Sequence, residues 1–217
     1  MTDALSTSDA QMEIPFPPPS LPPLIFLNGP AGSGKTTLAR SLSALDSAIA
    51  IYDHPSPIWD VLDTLVPPLD NFSPDYTNPG VKRQSLPHFG EGPLHTYREA
   101  MVKFGHLIRD IFGSEYFGHH AYVHATQLFA SGECETVIFP AVRLPEDVRP
   151  LLRASRLEHS IVLRLHRPDH SWTGDLGRYL NENDFPTRVR IVDLTNDSTL
   201  EALTAQALRI LGVPLHD

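Results

Sequence analysis

A short apolar segment runs directly into a glycine-dense turn at residues 24–37, which read LIFLNGPAGSGKTT. The segment 24–28 has the length and composition of a buried strand, and the pattern from residue 35 to residue 45 is helical. A strand joined to a helix by such a turn is typical of the first half of a parallel βαβ unit. This arrangement commits the chain to a fold with a parallel sheet.

The rest of the sequence repeats the alternation of strand and helix. It predicts five strands that are mostly apolar on both faces, as a buried parallel sheet requires, at 24–28, 48–52, 136–140, 160–165 and 189–194. It predicts helices at 35–45, 57–66, 94–112, 115–131, 145–155 and 198–211, with Ser198 as the N-cap of the last. We therefore expect a three-layer α/β/α fold with a five-stranded parallel sheet.

Length and composition limit the remaining choices. The 217 residues (24.1 kDa) fit one domain, at 24–217, and no apolar run is long enough to cross a bilayer. A formal charge of −9 gives no general attraction to nucleic acid, so we expect no membrane or nucleic-acid partner. The single cysteine excludes a disulfide framework and suits the cytoplasm. The sequence leaves the oligomeric state open, including a homodimer.

Residues 1–23 are polar and then rich in proline, and they lack the basic start and apolar centre of a signal peptide. We expect a flexible segment in an extended polyproline conformation. A ligand for a proline-reading domain is the alternative.

Residues 29–36, GPAGSGKT, match the phosphate-binding (Walker A) pattern G-x-x-x-x-G-K-[ST] between the first strand and the first helix. Converging backbone N–H groups and the positive end of the helix dipole bind an anion there. Lys35 would reach the β- and γ-phosphates of ATP, and Thr36 would bind Mg²⁺. The cofactor-binding residues predicted from this loop are Gly29, Ala31, Gly32, Ser33, Gly34, Lys35, Thr36 and Thr37. A nucleotide-dependent switch is a rival, although the N-K-x-D motif of many GTPases is absent.

The chain resembles the deoxynucleoside monophosphate kinases of tailed bacteriophages, within the wider group of P-loop kinases. The resemblance spans most of residues 24–211, and its motifs lie at 24–37, 97–105, 139–143, 166–168 and 194–201. Only the first motif is specific by itself. The resemblance implies a P-loop kinase fold and a phosphotransferase that moves the γ-phosphate of ATP to a (deoxy)nucleoside 5′-monophosphate. For a phage-encoded enzyme the compartment would be the host cytoplasm.

The resemblance also implies roles for several side chains. It assigns Arg143 to the acceptor phosphate or the transition state, and Arg167 to a lid at about 166–184. Arg98 falls where the family binds the monophosphate, and Asn196 lies in a loop that borders adenine or forms an Asx turn. An acceptor-binding region at about 54–112 would include Arg83. The alternative for each arginine is a solvated surface residue or, for Arg143, a helix cap.

One position departs from the family. The family's D-x-R segment has an aspartate where this chain has Ala141. Asp53 follows another strand and could bind the acceptor or a metal-bound water, or it could simply be a turn residue. Two further hypotheses stay open: a P-loop kinase with another acceptor, such as a phosphomevalonate-like molecule or a modified base in DNA, and a nucleotide-binding module without transfer activity.

Overall fold

The computed structural model describes residues 21–53, 56–65, 80, 96–153, 160–172, 177–185 and 189–213. The strands in these residues are β1 (Leu24–Asn28), β2 (Ile49–Ile51), β3 (Thr136–Val142), β4 (Ile161–His166) and β5 (Arg190–Thr195). The α-helices are α1 (Lys35–Ser43), α2 (Ser56–Leu65), α3 (Tyr97–Phe112), α4 (Tyr116–Ser131), α5 (Arg149–Leu152) and α6 (Leu200–Leu211). Short 3-10 turns lie at Pro145–Asp147 and Glu182–Asp184.

The five strands form one sheet in the order β2-β3-β1-β4-β5, and every neighbouring pair is parallel. β1 is the central strand, where Ile25 lies opposite Ile138 of β3 and Ile161 of β4. All five residues of β1 are buried. The predicted five-stranded parallel sheet is therefore confirmed.

Helices cover both faces of the sheet because successive residues of β1 point to opposite sides. Leu24 and Phe26 belong to a core cluster with residues of α4 and α5. Ile25 and Leu27 belong to a second cluster with residues of α1 and α6. This packing accounts for the predicted three layers.

A third, smaller core cluster lies where α2 packs against α3. It contains Ile58 and Leu62 of α2, Tyr97 and Ala100 of α3, and Phe117 of α4. None of these residues belongs to the two clusters that cover the sheet. The two helices therefore share a core of their own beside the main sheet.

β3 contains an irregularity near its carboxyl end. Phe26 lies opposite Phe139 and Asn28 lies opposite Val142, so β3 has one more residue than β1 between these pairs. The extra residue falls at Pro140-Ala141. A proline in an inner strand has no N–H for the ladder and is tolerated at such a bulge. The bulge thus places the segment around Ala141 outside the regular sheet geometry.

Two helix predictions differ from the structure. The predicted helix 145–155 is a 3-10 turn followed by the short helix α5, because Pro150 has no N–H with which to continue the helical hydrogen bonds. The N-cap of α6 is Thr199 and not Ser198, and the Thr199 hydroxyl accepts a hydrogen bond from Ala202 N at 3.3 Å.

The end of the predicted flexible segment is attached to the sheet. Leu21 packs against the second core cluster, the Pro22 carbonyl accepts a hydrogen bond from Thr136 Oγ1, and the Pro23 carbonyl accepts one from Val137 N at 2.9 Å. Prolines cannot donate to a ladder, but their carbonyls still accept. Residues 1–20 lie outside the described residues, and no described helix is long and apolar enough to cross a membrane.

Candidate functional site

A predicted site residue follows the carboxyl end of each of the five strands. Asp53 follows β2, Arg143 follows β3, Gly29 follows β1, Arg167 follows β4, and Asn196 follows β5. The strands are parallel, so all five ends lie along one edge of the sheet. Neighbouring strands are about 4.8 Å apart, so this edge spans about 20 Å, enough for a nucleotide. Ligands of open α/β sheets bind at this edge.

The loop after β1 depends on two glycines with positive φ angles. Gly32 has φ of 80° and Gly34 has φ of 100°, a region that other residues rarely adopt. Ser33 between them is fully buried, and its N–H donates to Pro30 O at 3.2 Å. The loop is therefore a compact turn whose backbone is shaped by glycine.

Helix α1 begins at this loop without a capping side chain. Its N-cap is Gly34, no side chain accepts from its first N–H groups, and its first turn contains no acidic residue. In contrast, α3 begins with a capping box formed by Thr96 and Glu99. Neither a capping side chain nor an acidic residue of its own first turn therefore offsets the positive end of the α1 dipole, which suits an anionic ligand.

The Lys35 ammonium lies within the curve of the loop. It donates to Gly29 O and Pro30 O at 2.7 Å each, and Ser33 Oγ is 3.3 Å away. These contacts place a positive charge beside the glycine backbone and the start of α1. An anion at this position would be contacted by the ammonium and by backbone N–H groups together.

The remaining loop residues suit a nucleotide and Mg²⁺. Ala31, Thr36 and Thr37 are exposed, and Thr36 lies in the first turn of α1 with its hydroxyl available as an oxygen ligand. Among the described residues, no group of three or more His, Cys, Asp or Glu side chains could bind a metal ion. Thr36 thus offers an oxygen of the kind that Mg²⁺ prefers, and its assignment as a Mg²⁺ ligand remains a prediction.

Two side chains from other strand ends contact the loop. Asn196 Nδ2 donates to Ser33 O at 2.9 Å, and Arg167 donates to Gly32 O at 2.9 Å. Asn196 N also donates to His166 O at 2.7 Å. The structure thus brings Lys35, Arg167 and Asn196 to the same loop. Arg167 lies 132 residues after Lys35, and Asn196 lies 29 residues after Arg167, so the order of strands in the sheet brings them together.

Sequence reasoning missed His170, whose ring packs against Gly32. A β-carbon built on Gly32 would lie 2.6 Å from His170 Cδ2 and 2.8 Å from Nε2. His170 Nδ1 lies 2.9 Å from Pro168 O. No motif includes this histidine, and its proximity to the loop depends on the turn that follows β4.

Sequence reasoning also missed Asn28, the last residue of β1. Its fully buried amide donates to Val142 O and Arg178 O, and its Oδ1 accepts from Leu180 N, all at 3.1 Å. Asn28 therefore fastens residues 178–180, within the predicted lid, to the end of the central strand. A buried polar residue at the end of an apolar strand was the only signal available.

Two other arginines in or next to the predicted lid, Arg164 of β4 and Arg178, form ion pairs away from the loop. Arg164 is paired with Asp193 of β5, and Arg178 is paired with Asp184. The hydrogen bond from Arg178 lowers the pKa of the Asp184 carboxyl, and the hydrogen bond from Arg164 lowers the pKa of Asp193. Arg164 and Arg178 are therefore each paired with a carboxylate of the protein. Of the three arginines, Arg167 is the one that donates a hydrogen bond to the loop.

Aromatic rings pack together beside β4. His166 stacks on Tyr179 with ring centroids 4.4 Å apart, and Trp172 meets Tyr179 edge to face at 5.8 Å. The Tyr179 hydroxyl donates to Leu165 O at 3.2 Å, and burial raises its pKa. This packing fixes the described parts of the segment that follows β4.

Arg143 and Asp53 occupy the half of the edge on the other side of β1. Arg143 is partly exposed and directly follows Val142, the β3 residue opposite Asn28. Asp53 is also partly buried, and its carbonyl accepts from Ser56 N at the start of α2. Ala141 lies at the bulge and contributes no carboxylate. The roles assigned to Arg143 and Asp53 remain predictions.

The acceptor region is described in part. Arg98 is a partly exposed residue in the first turn of α3, next to Tyr97 of the third core cluster. Arg83 lies outside the described residues, as does most of the segment between α2 and α3. Both assignments therefore remain predictions.

A shallow hollow of about 270 Å³ lies beside Asn196. It is lined by Thr195, Asp197, Ser198, Ala202, Leu203, Gln206 and Arg209. Leu203 connects it to the loop, because a β-carbon on Gly34 would be 3.9 Å from Leu203 Cδ2. The hollow therefore adjoins the start of α1.

Comparison with known proteins gives only a distant structural likeness. No protein-family model matches the sequence, and no curated protein matches it. Among solved structures, a sugar kinase from Janibacter sp. HTCC2649 aligns with a TM-score of 0.43 and 13% identity, covering 88% of this chain and 94% of that one. A likeness at this level identifies neither a substrate nor a reaction.

Proposed function

We propose that the chain is a P-loop kinase that transfers the γ-phosphate of ATP to a (deoxy)nucleoside 5′-monophosphate and gives the diphosphate. One observation carries the proposal: the Lys35 ammonium lies within a glycine loop at the uncapped start of α1. This arrangement places a fixed cation and the positive end of a helix dipole at one point. A polyphosphate is the ligand that uses both.

The residues of the chain would act mainly by placing charge. The loop backbone and Lys35 would bind the β- and γ-phosphates, and Arg167 would exchange its bond to Gly32 O for a phosphate oxygen. Bound MgATP supplies the phosphoryl group, and Thr36 would bind the Mg²⁺. Arg143 would bind the acceptor phosphate. In the transfer, an acceptor phosphate oxygen forms the new bond to the γ-phosphorus while the bond to the β-phosphate oxygen breaks, and ADP leaves.

ATP and the acceptor nucleotide would bind at opposite halves of the sheet edge. The hollow beside Asn196 would accept the adenine of ATP on the β5 side of the loop. Arg143, Asp53 and Arg98, with Arg83, would contact the acceptor on the β2 side. No general base is required, because a phosphate acceptor is already anionic at neutral pH.

A nucleotide-binding module without transfer activity is the second candidate. The observation that favours it is Ala141, at the β3 bulge, where the phage kinase family has an aspartate. Without that carboxylate, the chain could bind ATP and fail to orient the acceptor. A kinase with a different acceptor, such as a phosphomevalonate-like molecule or a modified base in DNA, would retain the same ATP site.

A product assay separates these candidates. The purified chain would be incubated with MgATP and a panel of ordinary and modified nucleoside monophosphates, 5-phosphomevalonate and duplex DNA, and ADP and phosphorylated products would be measured. A nucleoside diphosphate product supports the proposal. Product with another acceptor alone would reassign the substrate. ATP binding with no product anywhere would favour the binding module.

Lys35→Ala tests the site itself. We expect kcat/KM to fall about a thousandfold or more, because removing a cation that contacts the transferred group costs several kcal/mol of transition-state stabilisation. Arg190→Ala is the control, since Arg190 is exposed at the amino end of β5, on the opposite edge of the sheet. Unchanged turnover in Lys35→Ala would contradict the site assignment.

A further inference from the structure

The turn after β4 directs two side chains onto the glycine loop. His170 N donates to Arg167 O at 3.2 Å, with Pro168 and Asp169 as the central residues. Asp169 has φ of 62°, so the turn is of type II, which usually requires glycine at this position. The turn nevertheless lets Arg167 donate to Gly32 O and lays the His170 ring against the same glycine.

The orientation of the His170 ring follows from its hydrogen bond. Pro168 O is a carbonyl and can only accept, so Nδ1, 2.9 Å away, is the nitrogen that carries hydrogen. The opposite edge, Cδ2 and Nε2, faces Gly32. Nε2 is therefore an acceptor in the neutral ring and a donor directed at the loop once the ring is protonated.

Charged groups of both signs lie on the described parts of the loop and of the turn that carries His170. Lys35 contributes its ammonium from the loop, and Arg167 contributes a guanidinium from the same turn, while Asp169 is the acidic neighbour in that turn. A bound polyphosphate would place negative charge beside this ring and favour its protonated form.

We propose that His170 takes up a proton when nucleotide binds and donates its Nε2–H to the phosphate chain, acting as a third cationic ligand beside Lys35 and Arg167. This inference rests on the proposed function. Its consequence is that the affinity for MgATP rises as the pH falls through the range in which histidine becomes charged. A histidine that only packs on Gly32 would produce no such dependence.

Calorimetry can count the proton directly. MgATP binding would be measured at about pH 6 and about pH 8.5, in buffers with different ionisation enthalpies, for wild type, His170→Gln and His170→Asn. Gln offers a neutral N–H donor near the Nε2 position, and Asn is too short to do so. We expect wild type to take up more protons than either variant and to bind about tenfold more tightly at low pH only.

The comparison removes other sources of pH dependence. ATP titrates identically in every titration, so differences between variants belong to His170. His119→Gln is the control, because His119 is an exposed histidine on α4 (63% exposed side chain) and should leave the proton count unchanged. Thermal unfolding confirms that each variant is folded.

The outcomes distinguish the inference from the proposed function. Equal proton uptake and equal affinity at both pH values for wild type and His170→Gln would overturn the role of His170 alone. Failure of wild type to bind MgATP, or equal binding by Lys35→Ala, would overturn the proposed function and this inference together.

Discussion

Gly34 satisfies two separate requirements at the junction of the loop and α1. Its φ angle is 100°, and a β-carbon there would lie 2.5 Å from Asn196 Nδ2. We predict that Gly34→Ala lowers the free energy of unfolding by about 2–3 kcal/mol, because backbone strain and displacement of Asn196 act together. Urea denaturation would measure the loss.

Gly132→Ala is the matched control for that substitution. Gly132 ends α4 with φ of 74°, and a β-carbon there would meet nothing within 4 Å. We expect it to cost only the backbone strain, about 1 kcal/mol. If both alanine variants lose the same stability, the contact with Asn196 contributes nothing.

Site residues could be predicted from the sequence where a single local motif defines them. The loop glycines and Lys35 could be assigned because GPAGSGKT defines both the backbone shape and the charge. His170 and Asn28 could not, because their partners lie far along the chain. Nothing near His170 in the sequence indicates that the turn at Asp169 would direct it toward Gly32.

At the scale of elements, Asn28 joins β1 to the segment at residues 178–180. Its fully buried side chain makes three hydrogen bonds, at 3.1 Å each. We predict that Asn28→Ala lowers the free energy of unfolding by about 2–4 kcal/mol, since it leaves a buried N–H and two carbonyls without this partner. The Leu180 amide should also exchange its hydrogen faster in hydrogen-exchange mass spectrometry.

Asn183→Ala provides the comparison, because Asn183 is an exposed asparagine in the neighbouring 3-10 turn. It should change stability by less than about 0.5 kcal/mol. Normal protection of the Leu180 amide in Asn28→Ala would show that this connection is held by other contacts.

The alternation of apolar strands and amphipathic helices was sufficient to predict all five strands to within two residues at each end. The break between residues 145 and 152 was not predicted, although Pro150 signalled it, because the apolar pattern continued past the proline. The cap of α6 shifted from Ser198 to Thr199 because adjacent hydroxyl residues are equally good caps by type. The bulge at Pro140-Ala141 depends on pairing with β1, which sequence reasoning did not provide.

For the molecule as a whole, the pair of Arg178 and Asp184 links stability to pH. The hydrogen bond from Arg178 lowers the pKa of Asp184 in the folded state. The pair therefore stabilises the fold above the ordinary aspartate pKa of about 3.9, and this contribution is lost as the pH falls through the lower, folded pKa. We predict that Asp184→Asn weakens the dependence of the free energy of unfolding on pH below about pH 4.

Asp110→Asn is the control, because Asp110 is an exposed carboxylate on α3. Urea denaturation at several acidic pH values would compare the slopes of both variants with that of wild type. If the free energy of unfolding of Asp184→Asn falls with pH as steeply as that of wild type, other carboxylates determine the loss of stability at acidic pH.

The central position of β1 has a consequence for how the chain is made. Of the five described strands, β1 is made first, yet its two neighbours, β3 and β4, come much later, and 114 residues separate Asn28 from Val142. At ordinary translation rates that interval lasts on the order of ten seconds. During it, a strand with four apolar residues out of five has no neighbouring strand to pair with, so yield in a cell should depend on chaperones that shield nascent chains.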